Sequence, residues 1–331
     1  MIKVSIITDE ITRTSLCYEY DIKINEMSSI FRNRSFYSCD FILVESAWNG
    51  YKDRWKYKIA AYPDYPKRNN QKLLRLVEKA KDKGIPTVFW NKEDSVHFDR
   101  FIDSAKHFDH IFTVDENCIR KYRSIVPAST TVDVAMFPVQ PKIHNFQGFH
   151  FKHNSANFVG SYNNSIHSER LNHQEMLFGA AQKANMALTV FDRNSNRKNK
   201  MYRYPNEKFN FMVNNAVDYI HTSDIYRDYL VSLNVNTITD SPTMFSRRVV
   251  EILACGGILV STPSIAMEKL FRDYCHIVHS EEEAVELLTR LKYGATKQDL
   301  EKARAGVDFV LNNFTWSQFI TKIQNVILSK K

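Results

Sequence analysis

The chain has 331 residues, 44% of them hydrophobic and 25% charged, with a formal net charge of +8. That length suggests two domains and a sizeable buried core, and no apolar run reaches the roughly 18 residues that a membrane-spanning helix needs. Five cysteines, Cys17, Cys39, Cys118, Cys255 and Cys275, with no CxxC pair, argue against a disulfide framework or a zinc site.

The start, MIKVSIITDE, reads as a first strand over residues 4–7 and not as a secretory leader, so a cytoplasmic location is expected. A second apolar run at 41–44 is another strand. Residues 71–80 carry apolar side chains at Leu73, Leu74, Leu76, Val77 and Ala80, the spacing of a helix. Gly84 and Pro86 end it and lead into a strand at 87–90. Further short strands are expected at 110–114 and 131–136. The stretch 137–155 has two prolines, three histidines and no period, so it reads as a linker.

Alternation then resumes: a strand at 157–159, a helix at 168–184, a strand at 187–191 and a polar stretch at 193–208. A helix at 226–232, a strand at 233–235, a helix before Gly256 and a strand at 258–261 follow. Three helices, at 282–291, 297–311 and 316–328, finish the chain. Strands separated by helices imply parallel sheets. The expected fold class is therefore α/β, in two halves, with ligands beyond the carboxyl ends of the strands.

Carboxylates crowd the strand ends of the first half. Asp9 and Glu10 follow the first strand, and Glu45 lies in VESAWNG. Glu93, Asp94 and His97 lie in FWNKEDSVHF, and Asp115 follows the strand at 110–114. Any one of these acids could simply cap a helix or close a turn. Several together suit proton transfer, because neighbouring carboxylates shift one another's proton affinity.

The second half presents basic strand ends instead. FVGSYNNSIHSER supplies Gly160, Ser161 and Arg170, and VFDR supplies Arg193. In SPTMFSRRVVEILACGGILVSTP, Thr243 and Ser246 precede a helix whose first turn favours an anion. Arg247 and Arg248 add charge-assisted bonds to phosphate oxygens. Glu251, one turn on, can accept two hydrogen bonds from a ribose diol; the plainer alternative is a helix ion pair with an arginine. Asn236, just past the strand at 233–235, joins the donor candidates. No Walker loop or GxGxxG occurs, which disfavours P-loop and nicotinamide enzymes.

These motifs resemble the C-terminal nucleotide-sugar-binding segment of GT-B glycosyltransferases, in the CgeB-like, GT4-like branch. SRRVVEILACGGILVSTPS carries most of the likeness, with FVGSYNNSIHSER, VFDR, TDEIT, VESAWNG and FWNKEDSVHFDRF. The resemblance implies two Rossmann-like domains facing across a cleft. Residues 1–140 would form the acceptor domain and 156–314 the nucleotide-sugar domain, with 315–331 a helix crossing back to the first. It implies a metal-independent hexosyltransferase with no cofactor besides a nucleotide-sugar donor, a UDP-sugar favoured. Glu251 would bind the ribose, and Arg248 with Arg193 the diphosphate. Where retaining members carry the first glutamate of an E-x7-E pattern this chain has Thr243, so retention and inversion both stay open.

The reading is sugar transfer to a hydroxyl acceptor, a cell-envelope or other glycan ahead of a lipid-linked glycan or modified DNA, with Asp9 the first choice of base. Glu45, Glu93, Asp94 and His97 are the other choices. A phage-type DNA glucosyltransferase, a non-catalytic nucleotide-sugar binder and an epimerase are the alternatives. The net charge suits an anionic partner, yet the lysines look scattered, and no basic stripe with interleaved aromatics stands out. A peripheral contact with the inner membrane face and the oligomeric state are left open.

Overall fold

A computed structural model describes residues 1–26, 35–164 and 167–330. Ser165 and Ile166 of FVGSYNNSIHSER lie outside the described residues. The chain divides into two compact units. The first comprises 1–140, 241–244 and 316–331; the second comprises 141–240 and 245–315.

The first unit is built on β1 (Ile2–Ile7), α1 (Glu10–Leu16), β2 (Ile22–Glu26), β3 (Phe41–Glu45), α2 (Gln71–Asp82), β4 (Thr87–Asn91), α3 (Phe98–Ala105), β5 (His110–Thr113), α4 (Cys118–Arg123) and β6 (Thr131–Val134). Its sheet has the order β2-β1-β3-β4-β5-β6, with every pair parallel. The central strands are apolar on both faces because helices cover both: all five residues of β3 and all five of β4 are buried. Helix α2 seats Leu73, Leu76, Val77 and Ala80 in the core.

The second unit contains β7 (His153–Gly160), α5 (Ser168–Lys183), β8 (Leu188–Asp192), β9 (Met212–Asn214), α6 (Thr222–Asp228), β10 (Tyr229–Asn234), α7 (Arg248–Ala254), β11 (Ile258–Ser261), β12 (His276–Ile277), α8 (Glu281–Leu291) and α9 (Lys297–Asn313). Its sheet order is β12-β11-β10-β7-β8-β9, again with every pair parallel. Residues 249–254 of α7 are all buried. Gly256, at φ +75°, closes that helix: its N–H donates to Leu253 O at 2.9 Å, and Gly257 N donates to Ile252 O at 3.0 Å. The last helix, α10 (Trp316–Leu328), belongs to the first unit, where Trp316 and Phe319 pack on the Trp90 ring at 5.7 and 4.8 Å.

Three strands went unread in the sequence: β2, β9 and β12. Each is an edge strand or the neighbour of a loop and lacks a fully apolar run, so periodicity gave little signal. The helix expected at 226–232 is α6, four residues earlier, and the strand that follows it is β10 from Tyr229. Among the described residues no helix is long and apolar enough to cross a membrane.

Candidate functional site

Each sheet reverses its strand order once, and ligand sites in open parallel sheets lie at that point, beyond the carboxyl ends of the strands. In the first unit the reversal falls between β1 and β3. Asp9 immediately follows the β1 end and Glu45 is the last residue of β3. Between them stands Lys92, which sequence reading missed. Its ammonium is 3.0 Å from both Asp9 Oδ2 and Glu45 Oε1.

Glu45 is fully buried. Its Oε1 also accepts from Asp9 N at 2.5 Å, and its Oε2 accepts from Thr12 Oγ1 at 2.6 Å. With no exposed surface and both oxygens engaged, Glu45 anchors the strand ends and is not placed to meet an acceptor, contrary to expectation. Asp9 stays about a third exposed, with Oδ1 accepting from Gly50 N at 3.0 Å.

Asp94 is also corrected. Its carboxylate points into the core, fully buried, where Oδ1 accepts from Asn91 Nδ2 at 2.7 Å. Its Oδ2 accepts from Thr113 Oγ1 at 2.7 Å and Tyr122 OH at 2.9 Å. Burial pushes its pKa up to about 7 against the pull of those donors.

Glu93 and His97 instead sit half-buried at the surface around Trp48. Trp48 Nε1 donates to Glu93 Oε2 at 3.2 Å, and the His97 ring meets the indole edge-on at 5.1 Å. Burial lowers the His97 pKa, with Glu93 opposing, so the imidazole is neutral at neutral pH and able to take a proton.

In the second unit the reversal falls between β7 and β10, and Arg248 occupies it. Its Nη1 donates to Val159 O at 2.8 Å, Nη2 to Val235 O at 3.1 Å, and Nε and Nη2 to Asn234 Oδ1 at 3.3 Å each. The guanidinium lies over the Phe158 ring, 4.7 Å from its centre. Gly160 makes room for it, since a Cβ there would stand 2.5 Å from Arg248 Nη1.

Arg170 reaches in from α5. It donates to Ser161 O at 3.0 Å and Gln174 Oε1 at 3.3 Å. Burial first, then Arg248 and Arg193, push its pKa down to about 10. Arg193 N donates to Gly160 O at 2.9 Å, and its charge also bears on Arg248, whose pKa burial lowers. Arg170 and Arg248 thus lie part-buried in one neighbourhood, and the five acceptors of their side chains are neutral. Like charges held together in low dielectric are costly without an anion.

Glu251, one turn into α7, is 4% exposed, and its Oε1 has no partner among the described residues. Burial raises its pKa, while Arg247 first and then a Tyr219 hydrogen bond and Arg248 lower it. The alternative reading, a helix ion pair between Glu251 and an arginine, therefore does not satisfy this oxygen. Asn236 is buried, accepts from Ser246 N at 2.9 Å, and leaves Nδ2 unpartnered.

Thr243 is corrected. It is not at the start of α7 but in the first unit, where its hydroxyl donates to Val114 O at 3.0 Å and accepts from Glu116 N at 2.9 Å. Ser241 beside it donates to Asp115 Oδ1 at 2.6 Å. Among the described residues no group of three or more histidine, cysteine, aspartate or glutamate side chains is set to hold a metal.

Residues 166–325 match the family model described as glycosyl transferase-like. No curated protein matches the chain in sequence. Among solved structures, the chain is similar to an α-glucosyltransferase in complex with UDP and a 13-mer DNA. The TM-score is 0.66 at 12% identity, covering 99% of this chain and 100% of that one. It is similar to Anabaena Alr3699/HepE in complex with UDP-glucose, at TM-score 0.63 and 10% identity over 99% and 100% of the two chains. It is similar to TarM at TM-score 0.54 and 10% identity, where it covers 86% of its own length and about half, 54%, of TarM. Residues 166–325 thus carry a domain that matches the glycosyl transferase-like family model, and the two α/β units have the GT-B fold.

Proposed function

We propose that the chain moves a sugar from a nucleoside-diphosphate sugar to a hydroxyl acceptor, with the donor held at the strand reversal of the second unit. The observation that carries this reading is the part-buried pair Arg248 and Arg170, whose side chains donate to neutral acceptors among the described residues, beside Glu251 with a buried oxygen left over. A diphosphate supplies negative charge beyond that of Glu251, which already acts on Arg248, and a ribose diol supplies a donor to the Glu251 oxygen that has no partner. As the sugar leaves, negative charge grows on the phosphate it departs from, and fixed guanidinium groups in a dry site stabilise that charge without reorganising. On the first unit His97, neutral and half-buried beside Glu93, is suited to accept the proton of the acceptor hydroxyl. Asp9, tied to Lys92 and Gly50 N, is suited to orient that hydroxyl.

UDP is the first nucleotide to test, because the α-glucosyltransferase and HepE structures hold UDP and UDP-glucose. The test is thermal unfolding of the wild type and Glu251→Gln with and without UDP. UDP at a hundredfold excess over its Kd should stabilise the wild type by about 2.7 kcal/mol. Glu251→Gln should lose most of that gain while unfolding at a higher temperature in the absence of ligand, since a buried carboxylate without a full set of partners destabilises the empty protein. An equal response of both proteins to UDP would remove Glu251 from the donor site.

A further inference from the structure

The segment 51–72 lies between β3 and the second turn of α2. It holds seven lysines and arginines against two aspartates, a net +5 within a chain whose total is +8. Five aromatic residues stand among those cations: Tyr51, Trp55, Tyr57, Tyr62 and Tyr65, of which Trp55 is buried. The fold packs the two kinds of side chain face to face. The Arg68 guanidinium lies 4.1 Å from the ring centres of both Tyr57 and Tyr65, and Lys72 lies 4.4 Å from that of Trp55. Lys52 and Lys67 are exposed, as is Tyr65 at 54%. Among the described residues no ion pair involves Lys52, Lys56, Lys67 or Arg68. Burial and then Lys58 hold the Lys72 pKa below its ordinary value.

The patch is continuous with the candidate acceptor chemistry. Glu93 and His97 meet Trp48 as described. Arg100 lies 5.7 Å from the Trp48 ring centre and 4.8 Å from that of Tyr62. Tyr62 meets Tyr57 at 5.2 Å, and Tyr57 leads to Arg68. Three non-glycine residues in the segment, Lys52, Asp53 and Tyr57, adopt left-handed backbone at φ 54°, 56° and 63°. Such conformations cost energy and persist where the surroundings impose them, often at ligand sites.

We infer that this surface binds a nucleic-acid strand with unpaired bases and delivers it to the His97–Glu93 edge as the hydroxyl acceptor. The inference rests on the transferase reading above. The cations suit phosphates spaced along a backbone, and the exposed Tyr65 ring, with the partly exposed Tyr57 and Tyr62 beside it, suits a stacked base. An acidic polysaccharide would satisfy the charge alone, and the interleaved rings are what favour bases. The cations and rings of this segment are confined to one loop, and the chain-wide scatter of lysines keeps them from standing out in the sequence.

The test is fluorescence anisotropy of a labelled 16-nucleotide single-stranded DNA on the full chain, titrated at 50 to 200 mM salt. If about four phosphates are neutralised, the log–log slope on a single strand is near −2.8, roughly a fifty-fold loss of affinity over that range. Lys52→Glu with Lys67→Glu, both exposed and outside the chemistry, should weaken binding at least about tenfold. Tyr65→Ala should weaken it about tenfold with little change in slope. UDP should raise Tm equally in wild type and in these variants. Salt-independent binding would overturn the inference. So would alginate or polyglutamate competing as well as unlabelled strand while Tyr65→Ala binds like the wild type. A UDP response without DNA binding sinks this inference alone. DNA binding without a UDP response sinks the donor reading and leaves the surface standing.

Discussion

Lys92→Met is the sharpest probe of the first unit. Lys92 is 8% exposed and Glu45 not at all, while Asp9 is 30% exposed. Methionine keeps much of the stem volume and removes the charge. Glu45 then retains its bonds from Asp9 N and Thr12 Oγ1 but loses its cation in a site that water does not reach. Removing one partner of a buried pair costs about 3–5 kcal/mol; the contribution from Asp9 is small because solvent screens it. All four tryptophans, Trp48, Trp55, Trp90 and Trp316, belong to the first unit. Tryptophan fluorescence during urea unfolding therefore reports on this unit. With a slope near 2 kcal/mol/M, the midpoint should fall by about 2 M. Lys92→Met with Glu45→Gln should recover most of that loss, since removing both charges leaves neither stranded. A single variant within about 0.5 M of the wild type, or a double variant no better than the single, would refute the reasoning.

Two further outcomes follow from the same geometry. Asp94 has a folded pKa raised to about 7, so its stabilising contribution is complete below the ordinary carboxylate range and is lost as pH rises through 7. Asp94→Asn should remove a pH-dependent loss on the order of 4 kcal/mol between the acid range and pH 8. A variant whose urea midpoint keeps the wild-type pH slope would show that Asp94 does not titrate this way. Gly160→Ala should push the Arg248 guanidinium from its place, because the methyl would lie 2.5 Å from Nη1 and 2.7 Å from Phe158 Cε1. The UDP-induced rise in Tm should disappear, with a loss of about 1–3 kcal/mol in the second unit; an unchanged UDP response would show that Arg248 does not need its observed position.

The fold class was legible because buried parallel strands leave short apolar runs between helical periods, and those runs are local. Donor-site candidates were legible for a related reason. Glycine after a strand and arginine with glutamate on the following helix are patterns within a few residues, and Gly160, Arg248 and Glu251 stand where strand ends put them. What only the tertiary structure decided is which way each side chain faces and what stands opposite. Asp94 and Glu93 are neighbours in the chain, yet one turns into the core and the other meets Trp48. Glu45 needed Lys92, 47 residues away, to be understood. Thr243 lies close in sequence to Arg247 and bonds to Val114, 129 residues distant. Chain order fixes which backbone positions reach a strand end, but burial and charge partners come from residues that meet only when the sheet closes.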